Sequence, residues 1–326
     1  MTGKLVVERI EYGGWPNCCR VANGVVEVVI TTDVGPRVIR FGFVGEENEF
    51  HQYGATLGKT GGSEWHNYGG HRLWHAPEVF PRTYFPDNDP VRLQRHAGWV
   101  RTLQTVEATT GIQKEMDIHL SAEGAQVRVV HRLRNTNLWP VELAPWAISV
   151  MAAGGTAIIP LPPRGTHPEA LLPVNTLTLW AYTDMSDRRW MWGRRYVLAH
   201  QEPQASTPQK AGWLVPDGWC AYARGGHLFV VRFEHVPGAR YPDMGANVET
   251  WIDPEMLELE TIGPPARLEP GASVQYVEHW SLFRDVRVPR DEADVERYVL
   301  PRLRRDASQP RHRRDASQPC LEVPEA

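Results

Sequence analysis

Cysteine is scarce in this 326-residue sequence: Cys18, Cys19, Cys220 and Cys320 are all there is. Adjacent Cys18 and Cys19 do not make a metal-ligand spacing, and the four read as reduced thiols of a cytoplasmic protein. Long apolar runs are missing as well. The first thirty residues carry Lys4, Glu8, Arg9, Glu11 and Arg20, so no ordinary signal peptide is expected, and no stretch is long and apolar enough to span a membrane. No long basic block precedes the extreme C-terminus and the formal net charge is −4, which argues against nucleic acid as the main partner. No glycine-rich loop follows a strand and opens a helix, so no nucleotide cofactor is expected; the cofactor expectation is none. There is no Gly-x-Ser-x-Gly elbow, and no thiol that the sequence places near a histidine. Helical periodicity is confined to 291–304, where Val295, Tyr298, Val299 and Leu303 recur at helical spacing and Pro301 disturbs the end.

What is abundant is tryptophan (13), glycine (28) and proline (27). Short runs rich in β-branched residues, such as 5–12 and 24–32, alternate with Gly/Pro turns. Between 126 and 134, Val127, Val129, His131 and Leu133 fall on one face, and Arg128, Val130, Arg132 and Arg134 on the other. That alternation implies an antiparallel sheet with one wetter face. Segment 177–183 reads as a strand and 201–212 as a polar loop. The expected fold class is all-β, a single large antiparallel sandwich domain over 1–303 with a short C-terminal helix. In the tail, 304–310 and 313–319 both read RRDASQP. A polar repeat of this kind has no means of burying a core, so 304–326 is expected to be disordered.

Functional side chains crowd into Gly69-Gly70-His71-Arg72-Leu73-Trp74-His75-Ala76-Pro77-Glu78. Paired glycines let the backbone turn sharply or approach another group closely. His71, Arg72, His75 and Glu78 offer proton transfer, anion pairing and hydrogen bonds around the flat face of Trp74. Pro77 opposes a helix, and the stretch reads as a polar loop that either ties strands together or carries a site. His71, His75 and Glu78 have the spacing of metal ligands only if they lie on a helix; the metal expectation is none.

Candidate bases are Asp243, Glu249, Glu258 and Glu260. In a strand, Glu258 and Glu260 share one face and Leu257 and Leu259 the other. That is either a solvated face or the lining of a site. The segment 184–195 holds four arginines and two tryptophans. It reads either as surface charge packed over aromatics or as a clamp for an anion or sugar hydroxyls.

The order of several short motifs resembles the galactose mutarotase-like superfamily, which includes the aldose 1-epimerases. The matching segments are Asn23-Gly24-Val25 with Thr32–Arg37, Gly69–Arg72 with Trp74 and Pro77, Asn135 with Pro140 before Trp146, Tyr241-Pro242-Asp243 with Asn247, Leu257–Glu260, and Leu268 with Pro270-Gly271. The resemblance implies a large antiparallel β-supersandwich with a carbohydrate cleft on its concave sheet. It also implies a Glu general base near the C-terminal end and a His general acid, acting on the anomeric hydroxyl and ring oxygen of a sugar. Glu260 best matches the base, with Glu249 second. The family's His belongs in the strand that here reads Ala144-Pro145-Trp146-Ala147-Ile148, without one. His71 and His75 are the stand-ins, with Arg72, Trp74, Glu78, Trp146, Asp243, Asn247 and Glu249 as substrate-binding candidates.

Three functions stay open at this point. One is an aldose 1-epimerase-like isomerase. The others are a non-catalytic carbohydrate-binding protein, and a lyase or glycoside hydrolase on an oligosaccharide, which would need paired carboxylates at a defined separation. The expected partner is a sugar or oligosaccharide ligand, with no nucleic acid and no membrane, and the chain a monomer or homodimer.

Overall fold

The computed structural model describes residues 5–307. In chain order its strands are β1 (Val6–Tyr12), β2 (Trp15–Ala22), β3 (Val26–Thr31), β4 (Arg37–Phe43), β5 (Gly70–Ala76), β6 (Arg92–His96), β7 (Trp99–Leu103), β8 (Ile112–Leu120), β9 (Gln126–Asn135), β10 (Val141–Ala152) and β11 (Thr156–Pro160). They continue with β12 (Leu177–Leu179), β13 (Trp190–Trp192), β14 (Tyr196–His200), β15 (Gln209–Trp213), β16 (Trp219–Arg224), β17 (His227–Phe233), β18 (Val248–Ile252), β19 (Met256–Ile262), β20 (Ala266–Leu268) and β21 (Ser273–Phe283).

They form two antiparallel sheets. The first runs β1-β2-β3-β4-β5-β10-β19-β18-β15-β12, with β20 also on β10; the second runs β13-β14-β11-β16-β17-β21-β9-β8-β7-β6. The inner faces close over one apolar core that includes Val28, Phe41, Leu73, Met116, Val129, Leu259 and Trp280. Each fully buried aliphatic side chain there contributes roughly 1.5–3 kcal/mol by leaving water. The alternation of β9 puts Val127, Val129 and Leu133 into this core, as the sequence pattern requires.

The outer face of the second sheet is covered by the helical run 292–307. Val295, Val299 and Leu303 pack there on Leu198, Val230 and Val286. Asp291 caps the run by accepting from the Asp294 N–H at 2.8 Å. Pro301 does less damage than its position in the chain suggests. Val295–Val299 is wound as a π-helix, with the Leu300 N–H bonded to the Val295 carbonyl, and the run continues through Pro301 as an α-helix. The tail expected to be disordered over 304–326 begins instead as the end of this helix, through Ala307, and lies from residue 308 on outside the described residues.

Three local expectations are corrected. Residues 70–76 are not a loop but a central strand, buried along its whole length between β4 and β10. Its polar side chains resemble loop composition because each finds a buried partner instead of water. The polar stretch expected over 201–212 ends in β15, and the strand expected over 177–183 is only Leu177–Leu179.

Gly69 and Gly70 explain how the chain enters β5. Both have positive φ, at 81° and 71°. A Cβ on Gly69 would stand 2.0 Å from the His51 carbonyl oxygen, and one on Gly70 2.4 Å from that of Val38. Only glycine allows the backbone so close.

Candidate active site

The outer face of the first sheet carries the charges. In an antiparallel pair, residues directly opposite share a face. Register therefore aligns Arg72 (β5), Ile148 (β10), Glu260 (β19), Glu249 (β18) and Gly212 (β15) in one row. Trp74, Trp146 and Ile262 form the next row on one side. Val150, Glu258, Trp251 and Lys210 form the row on the other. Gly212 has a packing role: a Cβ there would meet Ala246 at 2.9 Å and the Glu249 side chain at 3.2 Å.

The centre of the face is an ion cluster. The Lys210 Nζ lies 3.0 Å from Glu249 Oε2 and 3.3 Å from Glu260 Oε2. Trp146 Nε1–H donates to Glu260 Oε2 at 2.9 Å. Arg72 Nη2 donates to Glu258 Oε1 at 2.8 Å. All of these side chains are buried. Lys210 also sits over the rings of Trp180 and Trp146, at 4.7 and 5.0 Å, and Arg72 over those of Trp74 and Trp65, at 4.5 and 5.7 Å. Trp65, Trp74 and Tyr84 pack edge to face as a wall beside Trp146.

Burial sets the proton affinities. It raises Glu260 to about 7, even though Lys210 pulls the other way. Burial also raises Glu249 well above the usual carboxylate range; Lys210 opposes this, while Glu260 and Asp243 add repulsion. Burial alone would lower Lys210, but Glu260 and Glu249 outweigh it and keep the ammonium charged. The site thus holds two carboxyls of raised proton affinity and one fixed cation.

Arg72 Nε and Nη1, Trp74 Nε1 and Trp65 Nε1 are buried without a hydrogen bond. Buried polar groups are seldom left unpaired, so these donors mark a place where a polar ligand fits.

Of the residues singled out in the sequence, Arg72, Trp74, Trp146, Glu249 and Glu260 come together. Glu78 and Asp243 stand at the rim, close enough for Glu78 to support the Lys210 charge and for Lys210 to act on Asp243. Glu78 also accepts a hydrogen bond from the Tyr84 hydroxyl. Asn247 does not join them: its side chain is bonded to the backbone N–H and carbonyl of Val215, at 2.7 and 3.3 Å.

His71 and His75 are on the opposite face of β5 from Arg72 and Trp74, because neighbours in a strand point opposite ways. They face the interior of the sandwich and cannot act from the far side of the cleft. His75 meets Glu107 at 3.4 Å. Four residues apart on a strand is about 13 Å, so His71 and His75 share no ion either. His71 belongs instead to an inner cluster with His131 and Glu278, where burial lowers His131 to about 4 and raises Glu278 to about 7.

Three of the four arginines of 184–195 are engaged elsewhere. Arg189 pairs with Asp187, Arg188 with Glu202 and Arg195 with Glu296. The residue that sequence reasoning missed is Lys210. A single lysine in a polar stretch gives no pattern, and only the pairing of β15 with β18 brings it beside the glutamates. The tryptophans serve both readings: Trp15, Trp213 and Trp280 fill interiors, while Trp74 and Trp146 line the site.

No family model matches this sequence, and no curated protein does. Solved structures do. A galactose mutarotase related enzyme from Lactobacillus acidophilus is 11% identical, with 82% of this chain and 98% of that one covered and a TM-score of 0.51. A galactose mutarotase-like protein from Lactobacillus casei is 10% identical, with 82% and 100% covered and a TM-score of 0.50. A TPR-domain containing protein from Parabacteroides distasonis is 15% identical with a TM-score of 0.54; the match covers 84% of this chain but only 49% of that protein, about half its length.

Proposed function

From a chain with the galactose mutarotase-like fold, we propose an aldose 1-epimerase-like isomerase in which two glutamates replace the usual Glu/His pair. Glu260 is the general base and Glu249 the general acid. The carrying observation is that Glu249 and Glu260 lie opposite each other on one sheet face, share the Lys210 ammonium and are both raised in proton affinity by burial. Glu260 takes the proton of the anomeric hydroxyl while Glu249 gives its proton to the ring oxygen. The ring C–O bond breaks, an aldehyde forms, and the reverse transfers reclose the ring from either face. No proton is lost or gained overall.

The other side chains serve binding. Lys210 and the Trp146 N–H stabilise ionised Glu260, so that its basicity is set by two contacts rather than by burial alone. Arg72 offers two free donors to sugar hydroxyls, and Trp74 and Trp65 offer faces for the apolar side of a pyranose. Trp180 packs its ring against the Lys210 ammonium at 4.7 Å.

A second reading is sugar binding without turnover, favoured by the Lys210 bridge, which already holds both glutamates. Exchange NMR of anomers, run on a panel of monosaccharides, decides between them. The wild type is expected to accelerate interconversion of one sugar above its spontaneous rate. Glu260→Gln is expected to lose that acceleration and still bind the sugar. Binding without acceleration in the wild type moves the assignment to the second reading. Neither binding nor acceleration for any sugar overturns both.

A further inference from the structure

The inner face of β5 carries a separate cluster, on the other side of the sheet from Arg72 and Glu260. His71 (β5), His131 (β9) and Glu278 (β21) each present one ligand atom, all within 4.8 Å of one another. The three side chains are buried. We propose that His71, His131 and Glu278 bind one divalent transition-metal ion of the zinc class, held between the two sheets.

The orientation of the rings is the first argument. His131 Nδ1 is 3.1 Å from the Tyr276 carbonyl oxygen, and His71 Nδ1 is 2.9 Å from Ser149 Oγ. Imidazoles that bind a metal through one nitrogen are usually oriented in this way, by an oxygen on the other. Here the arrangement turns both Nε2 atoms toward each other, 2.7 Å apart. Without an ion, the two nitrogens share one proton in a hydrogen bond.

The second argument is charge. Glu278 accepts from the Thr261 hydroxyl at 2.5 Å and from Trp280 Nε1–H at 2.8 Å, both neutral donors. Among the described residues no lysine or arginine pairs with it. Its Oε2 is instead 3.8 Å from His71 Nε2. A buried carboxylate without a cation is costly, and a dication between it and two imidazoles removes that cost.

The third argument is donor chemistry and size. Two imidazole nitrogens and one carboxylate oxygen suit zinc or its neighbours in the transition series, not calcium or magnesium. Tetrahedral zinc at about 2.0–2.1 Å from each ligand needs donors roughly 3.3 Å apart. The nitrogens must then part by roughly half an ångström, and the carboxylate must close by a similar amount on His71 Nε2 and by at most about 1.5 Å on His131. Such an ion would tie β5 of one sheet to β9 and β21 of the other, in surroundings made dry by Phe50 and Trp280, whose rings pack against His71.

The test uses the full chain purified without a metal-affinity step. Mass spectrometry should find one zinc per chain, or take-up of one equivalent on refolding with zinc. Cobalt(II) added in its place should give visible d–d bands. Saturating zinc should raise the melting temperature by about 5 °C over the same sample in chelator. Glu278→Gln should lose the ion, the bands and the shift. Should that variant not fold, Ser149→Ala is expected to weaken zinc binding by about tenfold or more. No bound metal, no bands and equal melting temperatures in the wild type would overturn the proposal and leave a hydrogen-bonded network. Zinc retained at full affinity by both variants would also overturn it, by placing the ion elsewhere.

Discussion

Glu249 and Glu260 stand directly opposite each other across strands β18 and β19, and a single ammonium, that of Lys210, lies within 3.0 Å of one and 3.3 Å of the other. Two buried carboxylates so placed cannot both ionise freely, and the shared cation decides how far each does.

Lys210→Met should leave the pair without its cation. Both carboxyls already have raised proton affinity in the folded chain, and the substitution raises them further. A group with a raised folded pKa stabilises fully below its unfolded pKa, and that stability is lost as pH rises through the folded pKa. The variant should therefore be near wild-type stability at pH 4.5 and destabilised by about 3–5 kcal/mol at pH 8. Urea titrations at the two pH values check this; an equal loss at both would sink the account.

Turnover should rise with pH through about 7, where Glu260 ionises. Trp146→Phe keeps the ring but removes the N–H that favours the ionised form. The acidic limb of the rate profile should move to higher pH, with kcat at pH 7 lower by about 10- to 100-fold. A profile that does not move would separate Trp146 from the base.

His75→Gln is expected to leave turnover per folded molecule within about threefold of wild type, since His75 points at Glu107 and away from the site. A loss of a hundredfold or more, measured on protein shown to be folded by circular dichroism, would return His75 to the list of acids.

Gly70→Ala should destabilise the chain by at least about 2 kcal/mol, because its φ of 71° and the 2.4 Å approach to the Val38 carbonyl admit no Cβ. Thermal denaturation gives the answer directly, and a shift of less than a degree would show that the strand entry can relax.

Much of the architecture was legible in the chain itself. Alternation in β9 and β19, Gly/Pro punctuation and the C-terminal periodicity are local signals, and each corresponds to an element found. Glu258 and Glu260 share a face because residues two apart in any strand do. The stretch from Gly69 to Glu78 has the composition of a loop although Gly70–Ala76 is a strand, since charged residues in a central strand look like loop residues until their partners are known.

Sequence by itself determined that there would be antiparallel strands, that each would have two faces, and which side chains would share one. It could not determine which face meets the core, because that depends on what packs from elsewhere. Arg72 finds Glu258 across 186 residues, Trp146 finds Glu260 across 114, His71 finds His131 across 60, and Lys210 finds Glu260 across 50. A one-residue change of phase in β5 would have put His71 and His75 in the site and Arg72 in the core. That phase is set by sheet pairing and core packing, and so the tertiary structure alone decided it.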